Sequence, residues 1–473
     1  MNTTVPAAKG LGSPRGGLVA ATVALWVANG LLWATVVPPW QAPDEPKHFA
    51  FIRMLKEQGP ALGRAPNQDV PAEIEKAILR SMDETHFWWY GRAPKYDAAS
   101  MTLPGHFSEV WMYGTHTAVY RSSPAYYALA ATVQPAAPGA GFYGARFLSV
   151  VLGALIVVFT AGAARELFPS DTMVRYGAPL FVALHPGFAF SQMAVNSDAL
   201  ANAAAAFVLL LVARLVSRGA SPARLVAMAF GLAAAVLVKR TTVFLVPVAG
   251  LALVGWWFVH RRQGPHRRLA LASIVAALVA GVAGLVTLGQ AVPLRWRWTG
   301  LRYFFNEPDQ PGRIVAYLHS PAAWPLGGRY LARLVDGFWG SFGWDIVRLP
   351  GVVYGAFALV VLGVVVGCVR RIHEGGDGPA ARTGLVLLGA APAVAAGAAL
   401  AFFVSYLYLP YAPPPQGRYL MPAMLPIAIL VMAGLGAWVP AARRWPALRV
   451  FVATMTVYDL VALFGFVGPY FYG

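Results

Sequence analysis

Two carboxylates and a histidine, Asp44, Glu45 and His48, fall within five positions in the stretch Pro38-Pro39-Trp40-Gln41-Ala42-Pro43-Asp44-Glu45-Pro46-Lys47-His48-Phe49. The prolines stop the preceding helix, because Pro lacks an N–H and clashes with the turn before it. A helical pattern resumes from Pro46 to Gln58, with Phe49, Ile52 and Leu55 on one face and Gly59 as its stop. A helix starting there sets Asp44 and His48 on neighbouring turns. Other polar sets recur along the chain: Asn196 with Asp198, the adjacent cations Lys239 and Arg240, Arg418, and Arg146. A carboxylate at a helix N-terminus stays ionised because the helix dipole favours its charge. Beside a cationic clamp for an anion, it is equipped to move a group from a phosphate leaving group to a hydroxyl. The carboxylate takes the hydroxyl proton, and Lys and Arg stabilise the charge that develops on the phosphate.

Taken singly, each residue has a plainer reading. Asp44 or Glu45 caps the helix at Pro46, Asn196 or Ser197 caps the helix that follows it, and a lone Lys or Arg at a helix end snorkels to the interface. His48 alone, and His185 before Pro186, carry little weight.

The elements that must position these residues are membrane helices. Hydrophobic residues make up 58% of the 473 and charged residues 12%, against about 25% charged in soluble domains, and the mean hydropathy is +0.56. The net charge of +17 does not argue for nucleic acid, because the basic residues fall in short clusters between apolar runs, as topology control requires. The single cysteine, Cys368, excludes an intramolecular disulfide. Neither a Cys/His metal-ligand spacing nor a glycine-rich phosphate loop occurs in the sequence.

The expected architecture is an all-α polytopic membrane protein of about eleven spans, forming one transmembrane domain over 1–473. The first span is 17–37 and is retained, since no small-residue cleavage site precedes the prolines. A loop of 38–145 follows, with aromatic clusters at Phe87-Trp88-Trp89-Tyr90 and Tyr126-Tyr127 that suit interfacial helices. Spans two to seven occupy 146–290, with the third at 175–194, the fourth at 198–216, two short ones meeting at Lys239-Arg240, and the seventh at 269–290. A second loop, 291–349, carries Arg295-Trp296-Arg297-Trp298 and Tyr303-Phe304-Phe305, and spans eight to eleven occupy 350–467. With the N-terminus inside, the basic clusters near 9–15, 214–224, 260–268, 370–382 and 443–449 all fall on one side. Asp44, Glu45, His48, Arg146, Asn196, Asp198, Lys239, Arg240 and Arg418 then converge outside. Cations at Lys239-Arg240 on that side run against the charge bias, which argues for an anion there.

These stretches resemble the GT-C superfamily of polyprenyl-phosphate-sugar-dependent glycosyltransferases, which includes protein O-mannosyltransferases and the lipid A aminoarabinose transferase. The chain most resembles a bacterial branch whose first outer loop reads like Pro43-Asp44-Glu45-Pro46-Lys47-His48-Phe49. The branch also has counterparts of Leu184-His185-Pro186, Val195-Asn196-Ser197-Asp198-Ala199-Leu200-Ala201-Asn202, Arg146-Phe147-Leu148-Ser149, Leu237-Val238-Lys239 and Gln416-Gly417-Arg418-Tyr419.

The resemblance implies a GT-C fold and inverting transfer of a hexosyl or pentosyl group from a polyprenyl-phosphate donor to a cell-envelope glycan, lipid or protein, outside the bacterial cytoplasmic membrane. It implies Asp44 as base and Glu45 as its support or as a contact to the acceptor. Lys239, Arg240, Arg418 and Arg146 would lie at the donor phosphate, with His48, Asn196, Asp198 and Tyr126 at the acceptor or in support. A divalent metal ion at Asp44 and Asp198 stays open, since metal dependence differs across the superfamily. Many members carry a soluble C-terminal domain that helps bind acceptor, whereas this chain ends soon after its last span. Acceptor recognition is therefore expected from the outer loops.

Two other classes compete. A lipid flippase or transporter should hold ionisable groups within its spans, yet only Asp459 falls near the middle of one, where it is expected to pack against a hydrogen-bonding neighbour. A non-catalytic scaffold leaves the Asp-Glu and Lys-Arg clusters without a task.

Overall fold

In the computed structural model the described residues are 14–59, 70–87, 90, 123–134, 141–260, 312, 315–316, 318–321, 323–375, 378–404 and 416–473. The expected seventh span (269–290), the Arg295–Phe305 aromatic stretch, and Trp88 and Trp89 lie outside them.

The described residues are helical almost throughout. Helix α1 (Pro14–Val36) ends before Pro38-Pro39, and the first loop contributes α2 (Glu45–Gln58), α3 (Ala72–Glu84) and α4 (Ala125–Thr132). Then follow α5 (Phe142–Leu167), α6 (Thr172–Leu184), α7 (Pro186–Met193) and α8 (Asp198–Arg218). Helices α9 (Pro222–Val238) and α10 (Leu245–His260) flank a 3-10 turn at Arg240–Thr242. Helix α11 (Ala323–Gly340) leads into a hairpin of β1 (Ser341–Phe342) and β2 (Val347–Arg348), paired antiparallel with Ser341 opposite Arg348. Last come α12 (Gly351–Glu374), α13 (Gly378–Val404), a 3-10 segment at Gly417–Ala423, α14 (Met424–Gly436), α15 (Arg444–Leu460), a π-helical turn at Val461–Val467 and α16 (Gly468–Tyr472).

Among the described residues, seven helical segments are long and apolar enough to cross a membrane, and Thr172–Leu184, Pro222–Val238 and Leu245–Trp257 are shorter apolar helices. The third expected span is not continuous. Pro186 has no N–H to extend α6, so the chain breaks at His185, whose Nδ1 accepts from Phe188 N at 3.0 Å and caps α7.

Small residues let the helices approach closely. A Cβ on Gly153 would meet the Trp26 ring at 2.2 Å, and one on Gly30 would meet Val150 at 2.7 Å. Three polar side chains of α1 bond neighbouring helices, as an apolar surround demands. Trp26 Nε1 donates to Val150 O at 2.8 Å, Asn29 Nδ2 to Ala183 O at 3.1 Å, and Trp33 Nε1 to Asp459 Oδ1 at 3.0 Å. Asp459 is thus a packing residue that fastens α15 to α1.

The first-loop helices build their own core of Phe49, Ile52, Ile74, Ile78, Met82, Tyr126 and Phe142 over the ends of α5 and α8. At the opposite end of the bundle lie the Arg218–Glu166 pair and a buried knot in which Arg371 and Arg444 flank Asp171, with N–O distances of 2.5 and 3.3 Å.

Candidate active site

The segment between α1 and α2 is held in an uncommon backbone shape. Trp40 and Asp44 both have φ 70, a left-handed conformation that Asp tolerates but that is a clear outlier for a bulky side chain. Burial over-determines it: Trp40 packs on Phe142 and Phe49 with ring centroids 4.4 and 5.5 Å away, and its carbonyl accepts from Trp344 Nε1 at 3.0 Å.

Directly beneath lies a buried ion pair. Arg146 Nε and Nη2 donate to Glu45 Oε1 and Oε2 at 2.9 and 2.8 Å, Nη1 donates to Ala34 O and Val37 O at 2.9 and 2.6 Å, and Nη2 donates also to Pro38 O at 3.0 Å. These bonds use all five guanidinium donors. Glu45 Oε1 accepts from Val195 N at 3.1 Å as well, and both side chains are 0% exposed. The pair therefore joins the end of α1, the start of α2, α5 and the turn before α8. Arg146 retains no donor for a phosphate and Glu45 no surface for an acceptor, so neither side chain is where the sequence expectation requires it.

Asp44 faces the other way and is partly exposed. Its Oδ1 lies 2.6 Å from Lys47 Nζ and its Oδ2 2.5 Å from Arg418 Nη2, while Arg418 Nη1 reaches Pro43 O at 3.3 Å. Asp44 is the N-cap residue of α2, although its side chain makes no capping bond. Burial pushes its carboxyl up, but Lys47 and Arg418, with His48 adding, outweigh it and hold Asp44 well below the usual carboxylate range.

A second acid–cation pair stands beside the first. Lys239, which caps the end of α9, lies 2.7 Å from Asp198 Oδ1 and donates to Asn196 Oδ1 at 3.1 Å. Asn196 Oδ1 also accepts from Asp198 N at 3.0 Å, so Asn196 both opens α8 and orients Lys239. Burial and the nearby Arg418 charge push the Lys239 ammonium down, against the pull of Asp198 and Asp44. His48 is buried, and its imidazole is pushed well below its ordinary value by burial and by Lys239, against the pull of Asp44; at neutral pH it is uncharged. Its Nδ1 lies 2.7 Å from Tyr127 Oη.

The structure thus brings Asp44, His48, Asn196, Asp198, Lys239 and Arg418 together. Tyr126 is fully buried, bonded to Ser149 Oγ at 2.9 Å, and ties α4 to α5. Arg240 opens the 3-10 turn after Lys239, and its side chain lies outside the described residues. Among the described residues no three His, Cys, Asp or Glu side chains converge as metal ligands. Asp198 Oδ2 and Arg418 Nε are buried with no partner among the described residues.

Beside the cluster is a cavity of about 520 Å³ including its open mouth, lined by Pro43, Asn196 and Arg418 on one wall. Arg333, Ser341 and Asp345, from α11 and the hairpin, line it as well. Sequence reasoning missed Ser341 and Asp345 because two-residue strands have no periodicity to read, and Arg333 because an arginine on a helix carries no signal of its own. The available signal was the turn-forming Gly343 next to the aromatic and acidic Trp344-Asp345.

Gly417 sets Arg418 against α11: a Cβ there would sit 1.9 Å from the Gly337 carbonyl carbon and 2.0 Å from Phe338 N. Backbone cannot rotate away as a side chain can. Gly417→Ala is expected to destabilise the protein by about 1–3 kcal/mol, the usual range for overpacking, and to lower activity with it. A lower melting temperature in detergent is the check, and an unchanged one would contradict this packing.

A family model described as "Predicted membrane protein (DUF2142)" matches residues 28–427. No curated protein matches the sequence. Among solved structures, the chain is similar to ArnT from Cupriavidus metallidurans bound to undecaprenyl phosphate, with 16% identity and a TM-score of 0.49 over 96% of this chain and 74% of that one. The apo state of the same protein gives 17% identity and a TM-score of 0.41 over 89% and 72% of the two chains. The archaeal oligosaccharyltransferase AglB from Archaeoglobus fulgidus, in complex with an inhibitory peptide and a dolichol-phosphate, gives 11% identity and a TM-score of 0.41 over 95% and 55%.

Proposed function

The chain belongs to the DUF2142 family of predicted membrane proteins, and we propose that it is a GT-C-type glycosyltransferase that uses a polyprenyl-phosphate-linked sugar. One observation carries this reading: a partly exposed carboxylate, Asp44, touches the cation Arg418 at a cavity wall, with the Lys239–Asp198 pair beside it. A base and an anion clamp in one cluster are the minimum set for glycosyl transfer from a phosphate. The motif resemblance around these same residues supports the reading further.

In the proposed reaction the acceptor hydroxyl attacks the anomeric carbon from the face opposite the phosphate. The new C–O bond forms as the bond to the phosphate oxygen breaks, and the bonding electrons leave on the phosphate. The acceptor proton passes to Asp44. Arg418, whose Nε is buried without a partner among the described residues, and Lys239 stabilise the departing phosphate. Asp198 and Asn196 orient Lys239, while His48 and Tyr126 support the loop. Arg146 and Glu45 are positioning residues that hold the Asp44 turn on α1, α5 and α8.

The reaction is assigned to the outside of the cytoplasmic membrane. The basic ends at Arg218, Arg371 and Arg444 lie at the opposite end of the bundle from Asp44, and basic ends mark the cytoplasmic side. The acceptor is a hydroxyl of the cell envelope.

The test is release of polyprenyl phosphate from a panel of polyprenyl-phosphate sugars by purified protein. Release that stops in Asp44→Asn supports the transferase. Tight lipid binding without release, unchanged by that substitution, would instead indicate a carrier. Lys239→Ala is expected to weaken polyprenyl-phosphate binding by about 10- to 100-fold, the equivalent of one charge-assisted hydrogen bond of about 1.5–3 kcal/mol. Wild-type affinity in that variant would remove Lys239 from the clamp.

A further inference from the structure

The hairpin wall of the cavity has no task in the reaction as written, yet it carries the chemistry of a ligand site. Asp345 sits in the turn at φ 64. Ser341 Oγ donates to its Oδ1, with Arg348 Nε 3.4 Å from the same oxygen and Arg333 Nη1 3.8 Å from Oδ2. Arg333, Ser341, Asp345 and Gln416 all line the cavity that Arg418 and Asn196 also line. Gln416 Oε1 is buried without a partner among the described residues, and a buried acceptor without a donor is rare enough to need an explanation.

The turn itself does not require an acid, since Asn or Gly is equally at home in a left-handed conformation. Asp345 offsets the positive charge of Arg333 and Arg348 on this wall, and neither the acid nor the arginines suit an apolar chain. A carboxylate and an amide oxygen that accept, beside a guanidinium that donates, match a ligand rich in hydroxyl groups.

The hairpin is also fixed relative to Asp44. Trp344 Nε1 donates to the carbonyl of Trp40, four residues before it. Phe342 packs against Trp33 and Phe190 with centroids 5.1 and 5.6 Å away.

We propose that Asp345, with Arg333 and Gln416, binds the hydroxyl groups of the donor sugar and sets which sugar is accepted, while Arg418 holds the phosphate joined to it. The proposal rests on the transferase reading above. It makes the second loop, together with Gln416, the specificity element and the first loop the one that carries the base.

The experiment compares the affinity of purified full-length protein for undecaprenyl phosphate and for undecaprenyl-phosphate glucose and mannose. It uses the wild type, Asp345→Asn and Arg333→Gln. Asn suits the left-handed backbone and keeps an acceptor for Ser341, so Asp345→Asn should fold; the exposed Arg333 supplies a second, independent variant.

The expected result is an affinity for undecaprenyl phosphate unchanged in both variants. Affinity for the preferred sugar-loaded lipid should fall by about tenfold, the equivalent of one charged hydrogen bond. Equal losses for all the lipids, or no loss for any, would overturn the sugar site while leaving the transferase standing. A wild-type protein that binds none of these lipids would instead overturn the transferase reading, and the sugar site with it.

Discussion

Asp44→Asn is expected to fold as the native protein does and to transfer sugar about 10²–10⁴-fold more slowly, the usual contribution of a general base. Asn has the shape of Asp and shares its tolerance of the φ 70, ψ 1 backbone found here. Ala would strain that backbone and confuse a folding defect with a chemical one. The substitution does remove the anion between Lys47 and Arg418, which are 25% and 13% exposed, but the Asn amide keeps an oxygen that accepts from one of them.

The pH dependence follows from the sign of the Asp44 shift. Burial alone would raise the carboxyl, but Lys47 and Arg418, with His48, hold it below its ordinary value. The ionised form is therefore complete at neutral pH and is lost only as pH falls below the ordinary carboxylate range of about 4. The acid limb of kcat/KM reports the free enzyme and should lie below that range. Once the donor phosphate draws on Arg418, Asp44 loses part of its attraction and becomes a better proton acceptor. The acid limb of kcat should then lie at higher pH than that of kcat/KM. A kcat limb at the same or lower pH would mean that Arg418 serves Asp44 alone and holds no phosphate.

The elements that carry Asp44, Asp198, Lys239 and Arg418 were legible because membrane helices advertise themselves by hydropathy and their ends by Pro, Gly and charge. Pro38-Pro39 does end α1, and the chain does turn at Lys239-Arg240 between two short helices. The depth of a charge was not legible. Arg146 lies in the first turns of a 26-residue apolar helix, and in sequence a snorkelling, a substrate-binding and a fully buried arginine look alike. Only the fold reveals that the carbonyls left open at the end of α1 are its partners. The break at His185 was legible in the proline beside it and was overridden by the apolar run. Asp345 was invisible for another reason: its task depends on a four-residue turn meeting the first loop through Trp344 and Trp40, more than 300 positions apart.

Arg146→Met is expected to cost about 3–5 kcal/mol of stability, the range for removing one partner of a buried ion pair. Glu45 would be left as an uncompensated charge at 0% exposure, the carbonyls of Ala34 and Val37 would lose their donor, and Pro38 O would keep only its bond from Gln41 N. Many buried pairs can be exchanged together for apolar residues at little cost. Here Arg146→Met with Glu45→Leu should recover only part of the loss, because the carbonyls of Ala34 and Val37, and the Val195 N–H that bonds Glu45, stay unpaired. Arg146→Lys should fare little better, since a point charge with three donors cannot replace a planar fork that uses five. Thermal unfolding in detergent reads all three variants. The binding role expected from sequence makes the opposite forecast: Arg146→Lys would melt like the wild type and lose affinity for polyprenyl phosphate. A lowered melting temperature with lipid affinity retained in the folded fraction would assign Arg146 to holding the Asp44 turn, leaving Lys239 and Arg418 as the phosphate clamp.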